Sequence, residues 1–199
     1  MSDYPTLPAL IASRICHDFI SPIGAVDNGL ELIAMTTRLS GPEMGLIRQS
    51  TNAALTRIEL FRLAFGAGGT APCPIGRLNN TLAAHLAERR INLTLEINAA
   101  TMDAAKKISL ALLCVETCLP RGGTVTVSAS ATHGQFHLQA EGPLRNDIDA
   151  LWHHVLSPKS AAPPPRAADV HFLLLGLSLA ADDITPTLTM QEEGIQLTF

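Results

Sequence analysis

Residues 11–33 read IASRICHDFISPIGAVDNGLELI, and this stretch decides how the first part of the chain folds. Its apolar residues recur every three or four positions, a spacing that brings their side chains to one face of an α-helix. That face comprises Ile11, Ile15, Phe19, Pro22, Val26, Leu30 and Ile33. We therefore predict a long amphipathic helix over about residues 7–39, with its apolar face packed against another helix.

The next segment, LSGPEM at residues 39–44, ends this helix and begins a second one. Ser40 is a residue type that caps helices, and Pro42 suits the first turn of a helix. The second helix is predicted over about residues 42–65, antiparallel to the first. A hairpin of two helices cannot bury apolar residues on both of its sides. We therefore expect two copies of the chain to form a four-helix bundle in a homodimer.

A glycine- and proline-rich segment, GAGGTAPCP at residues 66–74, separates this hairpin from the rest of the chain. Such a segment breaks a helix, so we expect two domains, at residues 1–68 and 72–199. Alternating apolar residues predict strands over residues 91–97, 124–130, 135–141, 184–190 and 195–199. Helical spacing predicts helices over residues 75–89, 102–119, 146–156 and 170–181. Helices on one side of a largely antiparallel sheet make an α/β sandwich, so the fold class is α + α/β.

The charge of the chain limits its partners. Only 16% of the 199 residues are charged, and the net charge is −4. Nucleic acid is therefore not expected as a partner, because phosphate backbones need clustered Lys and Arg. The N-terminus lacks the basic start and apolar run of a signal peptide, and the apolar run at residues 170–181 is too short to cross a membrane. We expect a cytoplasmic protein that does not bind a membrane.

His17 falls on the face of the first helix opposite its apolar stripe. Ser21, Gly24 and Asn28 lie beside it on that outer face, and small neighbours let another protein approach the imidazole closely. Ile20 points toward the same face, where it suits a docking contact better than a core position. We therefore expect a solvent-facing histidine within a protein-binding surface.

An exposed imidazole suits phosphoryl transfer, because the attacking nitrogen must reach a phosphorus atom in line with its leaving oxygen. A neutral imidazole is available for this attack near pH 7. We hypothesise that the carboxylate of Asp18 holds the other ring nitrogen. Pro22, five residues after His17, removes one backbone hydrogen bond and bends the helix. Helical geometry alone leaves open the alternative that His17 is an ordinary surface histidine.

The run CHDFISPIGA at residues 16–25, followed by NGLEL at residues 28–32, resembles the H-box of sensor histidine kinases. It is more similar to the dimeric histidine phosphotransferases of the ChpT type, and RICHD at residues 14–18 keeps their order and spacing. The resemblance implies that His17 is phosphorylated, that Asp18 assists the reaction, and that receiver domains of response regulators bind around them. The expected partner-binding residues are Arg14, Ile20, Ser21, Gly24 and Asn28.

The same resemblance makes the second domain a degenerate relative of the ATP-binding sandwich of those kinases. Aligning the PRGG turn at residues 120–123 places Leu110 and Cys114 where those kinases have asparagines for Mg²⁺. QAEGPLRND at residues 139–147 takes the place of their adenine-binding loop, with Ala140 where an Asp is needed and Leu144 where a Gly is needed. The last glycine motif of those kinases is reduced to the segment around Gly176. Bulky Leu174 in this segment would keep backbone amides from approaching phosphate groups closely. We therefore expect no ATP, no cofactor and no metal in this chain, and we expect Mg²⁺ in the receiver.

Together these features predict a histidine phosphotransferase of a bacterial phosphorelay, which shuttles a phosphoryl group between receiver aspartates through phospho-His17. Two alternatives stay open. One is a histidine kinase that phosphorylates itself from ATP. The other is a non-catalytic scaffold that docks receivers without carrying phosphate.

Overall fold

A computed structural model describes residues 6–35, 41–130, 134–160 and 162–199. Helices α1 (Leu7–Met35) and α2 (Gly41–Phe65) pack side by side as a hairpin, which confirms the predicted N-terminal helices. The predicted end of the first helix beyond residue 35 and the predicted cap at Ser40 lie outside the described residues.

The contact between α1 and α2 depends on a glycine. Gly29 is buried, and a Cβ atom at this position would lie 2.6 Å from Cγ1 of Ile47. Nearer the other end of the hairpin, the rings of Phe19 and Phe61 meet edge to face with centroids 6.0 Å apart. Leu30, which the sequence pattern placed in the packed stripe, is instead 53% exposed, because Gly29 takes the position that faces α2.

Five strands form the main sheet of the described chain: β2 (Ile91–Glu96), β4 (Gly123–Ala129), β5 (Phe136–Glu141), β6 (Thr187–Gln191) and β7 (Gly194–Thr198). Their order across the sheet is β2-β4-β5-β7-β6. Strands β2 and β4 pair in parallel and the other neighbours pair antiparallel. Their apolar side chains alternate inward, against helices α3 (Ile75–Ala87), α4 (Met102–Cys118), α5 (Asp149–Leu156) and α6 (Val170–Ala181). The predicted elements of the second domain are confirmed, with ends displaced by a few residues.

A second, very small sheet was not predicted. Strand β1 (Pro72–Cys73) pairs antiparallel with β3 (Ala100–Thr101). Strands of this length carry no periodicity, so the sequence reads as a loop at both places. The pairing brings Thr101 to the start of α4, where its Oγ1 accepts a hydrogen bond from the backbone N–H of Ala104 at 3.1 Å.

One buried cluster joins the helical hairpin to the sandwich. Helix α4 lies at its centre, and the cluster also takes in the C-terminal part of α2. The α2 members are Leu60, Phe61, Leu63 and Ala64. Because α2 continues into the core of the sandwich, the sandwich fixes the direction of the hairpin and hence the position of the helix that carries His17.

Helix α1 is the one described helix that is long and apolar enough to span a membrane by length and composition. An 18-residue window within Leu7–Ile33 has a mean hydropathy of 1.2, and 11% of that window is buried in the single chain. A buried core helix of a soluble protein and a signal sequence near an N-terminus pass the same test. The observation therefore establishes an apolar and largely uncovered helix and no more.

The crossing of α5 and α6 allows a test of the fold. A Cβ atom at Gly176 would lie 2.3 Å from the carbonyl oxygen of His154 and 2.8 Å from that of Val155. These are backbone atoms that cannot rotate away, so Gly176→Ala should lower the free energy of unfolding by about 1–3 kcal/mol in urea denaturation.

The matched control is Gly76→Ala in α3, where no described atom lies within 4 Å of the added Cβ. This variant should be unchanged or more stable by up to about 1 kcal/mol, because alanine favours a helix over glycine. Equal stability of the two variants would contradict the described packing of α5 on α6.

Candidate functional site

His17 lies in the middle of α1 and its side chain is 83% exposed. The expectation of an outward-facing imidazole is therefore confirmed. Ile20, one turn further along, is the most exposed of the large apolar residues described, at 72%. An exposed apolar side chain beside an exposed imidazole is a suitable contact for another protein.

Asp18 holds one nitrogen of the His17 ring. Its Oδ1 lies 3.1 Å from Nδ1 of His17. An ionised carboxylate can only accept a hydrogen bond, so this contact favours the tautomer in which Nδ1 carries the proton. In that neutral tautomer the lone pair is on the other ring nitrogen, Nε2. The hypothesis that Asp18 steadies the tautomer thus has the geometry that it requires.

Arg14 is directed toward the protein rather than toward solvent. Its Nε lies 2.9 Å from Oδ2 of Asp18, and its side chain is only 16% exposed. Its Nη1 donates a hydrogen bond to the carbonyl oxygen of Ala168, in the 3₁₀ turn Ala167–Asp169 that precedes α6. Arg14 therefore connects the acid beside His17 to the sandwich, a contact that the sequence did not indicate.

Pro22 creates a further contact that the sequence analysis missed. A proline has no backbone N–H, so the carbonyl of Asp18, four residues earlier, lacks its usual donor in the helix. Arg57 of α2 takes this role, because its Nη1 donates to the Asp18 carbonyl at 3.3 Å. Its Nη2 lies 3.3 Å from Oε2 of Glu88, which follows α3. The available signal was the carbonyl that Pro22 leaves unpaired, which needs a donor from the facing helix.

The remaining expected partner-binding residues lie along the same helix. Ser21 and Asn28 are exposed, and no described atom lies within 4 Å of a Cβ built on Gly24. Ser21 also lines a groove of about 440 Å³ between α1 and α2, which Arg57 and Glu88 close at one end. The structure thus brings these residues to the neighbourhood of His17, and their contact with a partner stays a prediction.

A buried polar cluster lies on α4, close to Arg14. Nε2 of His85 is 2.7 Å from Oε2 of Glu116, and Nε of Arg89 is 2.9 Å from Oε1 of the same carboxylate. Burial alone would raise the pKa of Glu116, but the hydrogen bond from His85 and the charge of Arg89 keep this pKa below its ordinary value.

His171 belongs to the same region, 3.1 Å from Oγ1 of Thr117 through Nε2. Complete burial, together with the nearby charge of Arg14, lowers the pKa of His171 to about 3. The ring is therefore neutral in the folded protein at neutral pH. Within the described residues, no group of three or more His, Cys, Asp or Glu side chains is arranged to hold a metal ion.

Comparison with known proteins gives a consistent set of matches. Residues 75–194 match the family described as histidine phosphotransferase C-terminal domain. Protein phosphotransferase ChpT of Brucella abortus (strain 2308) is 35% identical over 173 residues, which make up 83% of this chain and 79% of that protein. A solved structure of a bacterial phosphotransferase superimposes with a TM-score of 0.79 and 28% identity, covering 96% of this chain and 94% of the other.

The buried His171 predicts how stability changes with pH. In the unfolded chain this histidine takes up a proton below about pH 6.5, whereas in the folded chain it stays neutral down to about pH 3. The unfolded state thus binds more protons in this window, and stability should fall by up to about 1.4 kcal/mol for each pH unit below 6.5. Denaturant unfolding of wild type and His171→Gln between pH 7.5 and pH 5 should show a shallower decline in the variant.

The control is His137→Gln, which removes an exposed histidine on β5 and should keep the wild-type decline. Parallel curves for wild type and His171→Gln would show that this ring does not resist protonation in the folded state.

Proposed function

The chain belongs to the histidine phosphotransferase family, and we propose that His17 is the residue that carries the phosphoryl group between receiver domains of a bacterial phosphorelay. The observation that carries this proposal is the geometry of one ring. Nδ1 of His17 is paired with Asp18 at 3.1 Å, while the side chain as a whole is 83% exposed. An incoming phosphoryl group therefore meets a nitrogen with an available lone pair on an accessible face.

The transfer proceeds by in-line displacement. Nε2 of His17 attacks the phosphorus of an aspartyl phosphate on the docked receiver, the new N–P bond forms, and the P–O bond to the receiver aspartate breaks. The receiver aspartate leaves as a carboxylate. The ring gains positive charge as the bond forms, and the Asp18 carboxylate on Nδ1–H stabilises that charge. The same steps in reverse pass the phosphoryl group to the aspartate of a second receiver.

We propose that the receiver supplies its own Mg²⁺ and lies over the outer face of α1. The surface around His17 offers the expected contacts Ile20, Ser21, Gly24 and Asn28. Residues 1–68 would then be the dimerisation and phosphotransfer domain, and residues 72–199 a degenerate ATPase-like sandwich without ATP.

The packing of the sandwich supports the absence of ATP. Leu110 and Cys114, at the positions where the related kinases have asparagines, are both completely buried. Gly176, the remnant of the last glycine motif, has the backbone of α5 rather than open space beside it. A Cβ on Gly142, the remnant of the adenine-binding loop, would lie 2.6 Å from the carbonyl of Gly122. These buried side chains and close backbone contacts support the proposal that the sandwich binds no ATP.

Exposed apolar side chains on the hairpin support a homodimer in which two hairpins form a four-helix bundle. Apart from Ile20 beside His17, they are Ile23, Leu30, Leu32, Met44, Leu46, Leu55 and Ile58. Ile23 and Leu30 are seven residues apart, two turns of a helix, and flank the stripe that contacts α2. A second hairpin can cover them without covering His17. A lipid surface is a poorer cover for α1, because the helix also carries Arg14, Asp18 and Asp27, so we propose a cytoplasmic protein.

The dimer is tested by charge substitution. Light scattering should give the wild type twice the 21.1 kDa mass of one chain, and the double variant Leu30→Lys/Leu55→Lys the mass of a monomer. Lysines buried in the bundle without partners cost too much for the hairpins to associate. Met190→Lys, on the exposed face of β6, is the matched control and should remain dimeric. A wild-type chain of 21.1 kDa would contradict the proposal.

The transfer itself is tested with a labelled donor. Purified chain is mixed with a receiver domain that carries ³²P on its aspartate and, separately, with labelled ATP. Label should reach the wild type from the receiver alone and should not reach His17→Ala, because that variant lacks the accepting nitrogen. His137→Ala, which removes another exposed histidine, should be labelled like the wild type. Label from ATP would indicate the kinase alternative, and label from neither source would indicate a scaffold.

A further inference from the structure

We propose that the sandwich domain acts on the reaction through two arginines, Arg14 and Arg57, which serve as positioning residues that hold the His17–Asp18 pair in place. This inference rests on the proposed function of His17. It assigns a role in the reaction to the sandwich, which supplies no reacting group. The role differs from docking because the contacts of both arginines lie within the chain.

The first arginine fixes the side chain of Asp18. Nε of Arg14 pairs with Oδ2 at 2.9 Å, which leaves Oδ1 for the His17 ring at 3.1 Å. The other end of the same guanidinium donates to the carbonyl of Ala168. That turn is itself held, because the neighbouring Asp169 is buried and accepts two hydrogen bonds from Arg166, at 3.0 Å and 2.8 Å. Arg14 therefore links Asp18 to a fixed point on the sandwich.

The second arginine fixes the backbone of Asp18. The carbonyl that Pro22 leaves without a helical donor is the acceptor for Nη1 of Arg57, at 3.3 Å. Nη2 of Arg57 pairs with Glu88 at the end of α3, also at 3.3 Å. The side chain of Arg57 is only 17% exposed. The proline thus leaves free the acceptor by which α2 and the sandwich hold the residue next to His17.

Both contacts converge on Asp18, one on its carboxylate and one on its carbonyl. Arg57 can make its two contacts because the donors of a planar guanidinium lie in a fixed fork, which the ammonium of lysine cannot reproduce. Nε of Arg14 meets Oδ2 of Asp18 as an ion pair. Loss of either contact should let the carboxylate turn away from Nδ1 of His17. Because a misplacement of about 1 Å can slow a reaction by as much as a hundredfold, we expect slower transfer with unchanged receiver binding.

The kinetic test uses the full chain and a ³²P-labelled receiver in single-turnover transfer at a series of receiver concentrations. Arg57→Gln should lower the maximal rate by about 10-fold or more and leave the half-saturating concentration unchanged. Arg62→Gln is the matched control, because Arg62 lies on the same helix and its one ion pair among the described residues is with half-exposed Glu59. This variant should transfer at the wild-type rate.

Pro22→Ala distinguishes this role from a general loss of packing. Alanine restores the N–H that bonds the Asp18 carbonyl within the helix, so this carbonyl is then held without Arg57. Arg57→Gln should then slow transfer less than about twofold in the Pro22→Ala background, a strong non-additivity. Equal slowing in both backgrounds, or a wild-type rate for Arg57→Gln, would overturn the proposal. Should Arg57→Gln not fold, Glu88→Ala removes the carboxylate that holds the other end of the Arg57 guanidinium and is held to the same outcomes.

A measurement without any receiver separates this inference from the proposed function. The ¹⁵N NMR shifts of the His17 ring in the neutral state report which nitrogen carries the proton. The wild type should have the proton on Nδ1, and Arg14→Gln should show a mixture of tautomers. An unchanged tautomer in Arg14→Gln would overturn the positioning role even if transfer occurs. Absence of label on the wild type, together with a changed tautomer in Arg14→Gln, would contradict the proposed function and support the positioning role.

Discussion

The hydrogen bond between the ring of His17 and the carboxylate of Asp18 is the contact on which the proposed chemistry of the site depends. It joins Nδ1 to Oδ1 at 3.1 Å on the outer face of α1. A single bond between two neighbouring side chains on an exposed helix would be weak, since both rotate and water competes with it. Here Asp18 is also tied to Arg14 and, through its carbonyl, to Arg57, so one residue of the pair is fixed while the other remains accessible.

The shared core explains why this arrangement can hold. Helix α2 passes from the hairpin into the buried cluster around α4, through Leu60, Phe61 and Ala64. The hairpin and the sandwich therefore form one packed unit, and contacts from α3 and from the turn before α6 reach α1 at fixed positions. In this arrangement the sandwich supports the helix that carries His17, and its own backbone packs closely at Gly176, beside α5, and at Gly142, beside the Gly122 turn.

The sequence predicts the elements of the fold and the exposed histidine because both follow from local periodicity. It fails where the outcome depends on a contact between distant segments. Leu30 has the right spacing for the packed stripe, but Gly29 allows the closer approach to α2. Arg14 lies near the His17 face of the helix, yet its long side chain folds back onto Ala168. The residues next to Arg57 in the sequence do not indicate its role. That role depends on two distant groups that the fold brings to Arg57, the carbonyl of Asp18 and the carboxylate of Glu88.

We propose that Asp18 reserves Nδ1 of His17 and leaves Nε2 to accept the phosphoryl group. The most direct test is to phosphorylate the chain with a labelled receiver and to determine the isomer of phosphohistidine by ³¹P–¹⁵N NMR, with the position mapped to His17 by mass spectrometry. We expect phosphate on Nε2 of His17. Phosphate on Nδ1, or on any other histidine, would contradict it.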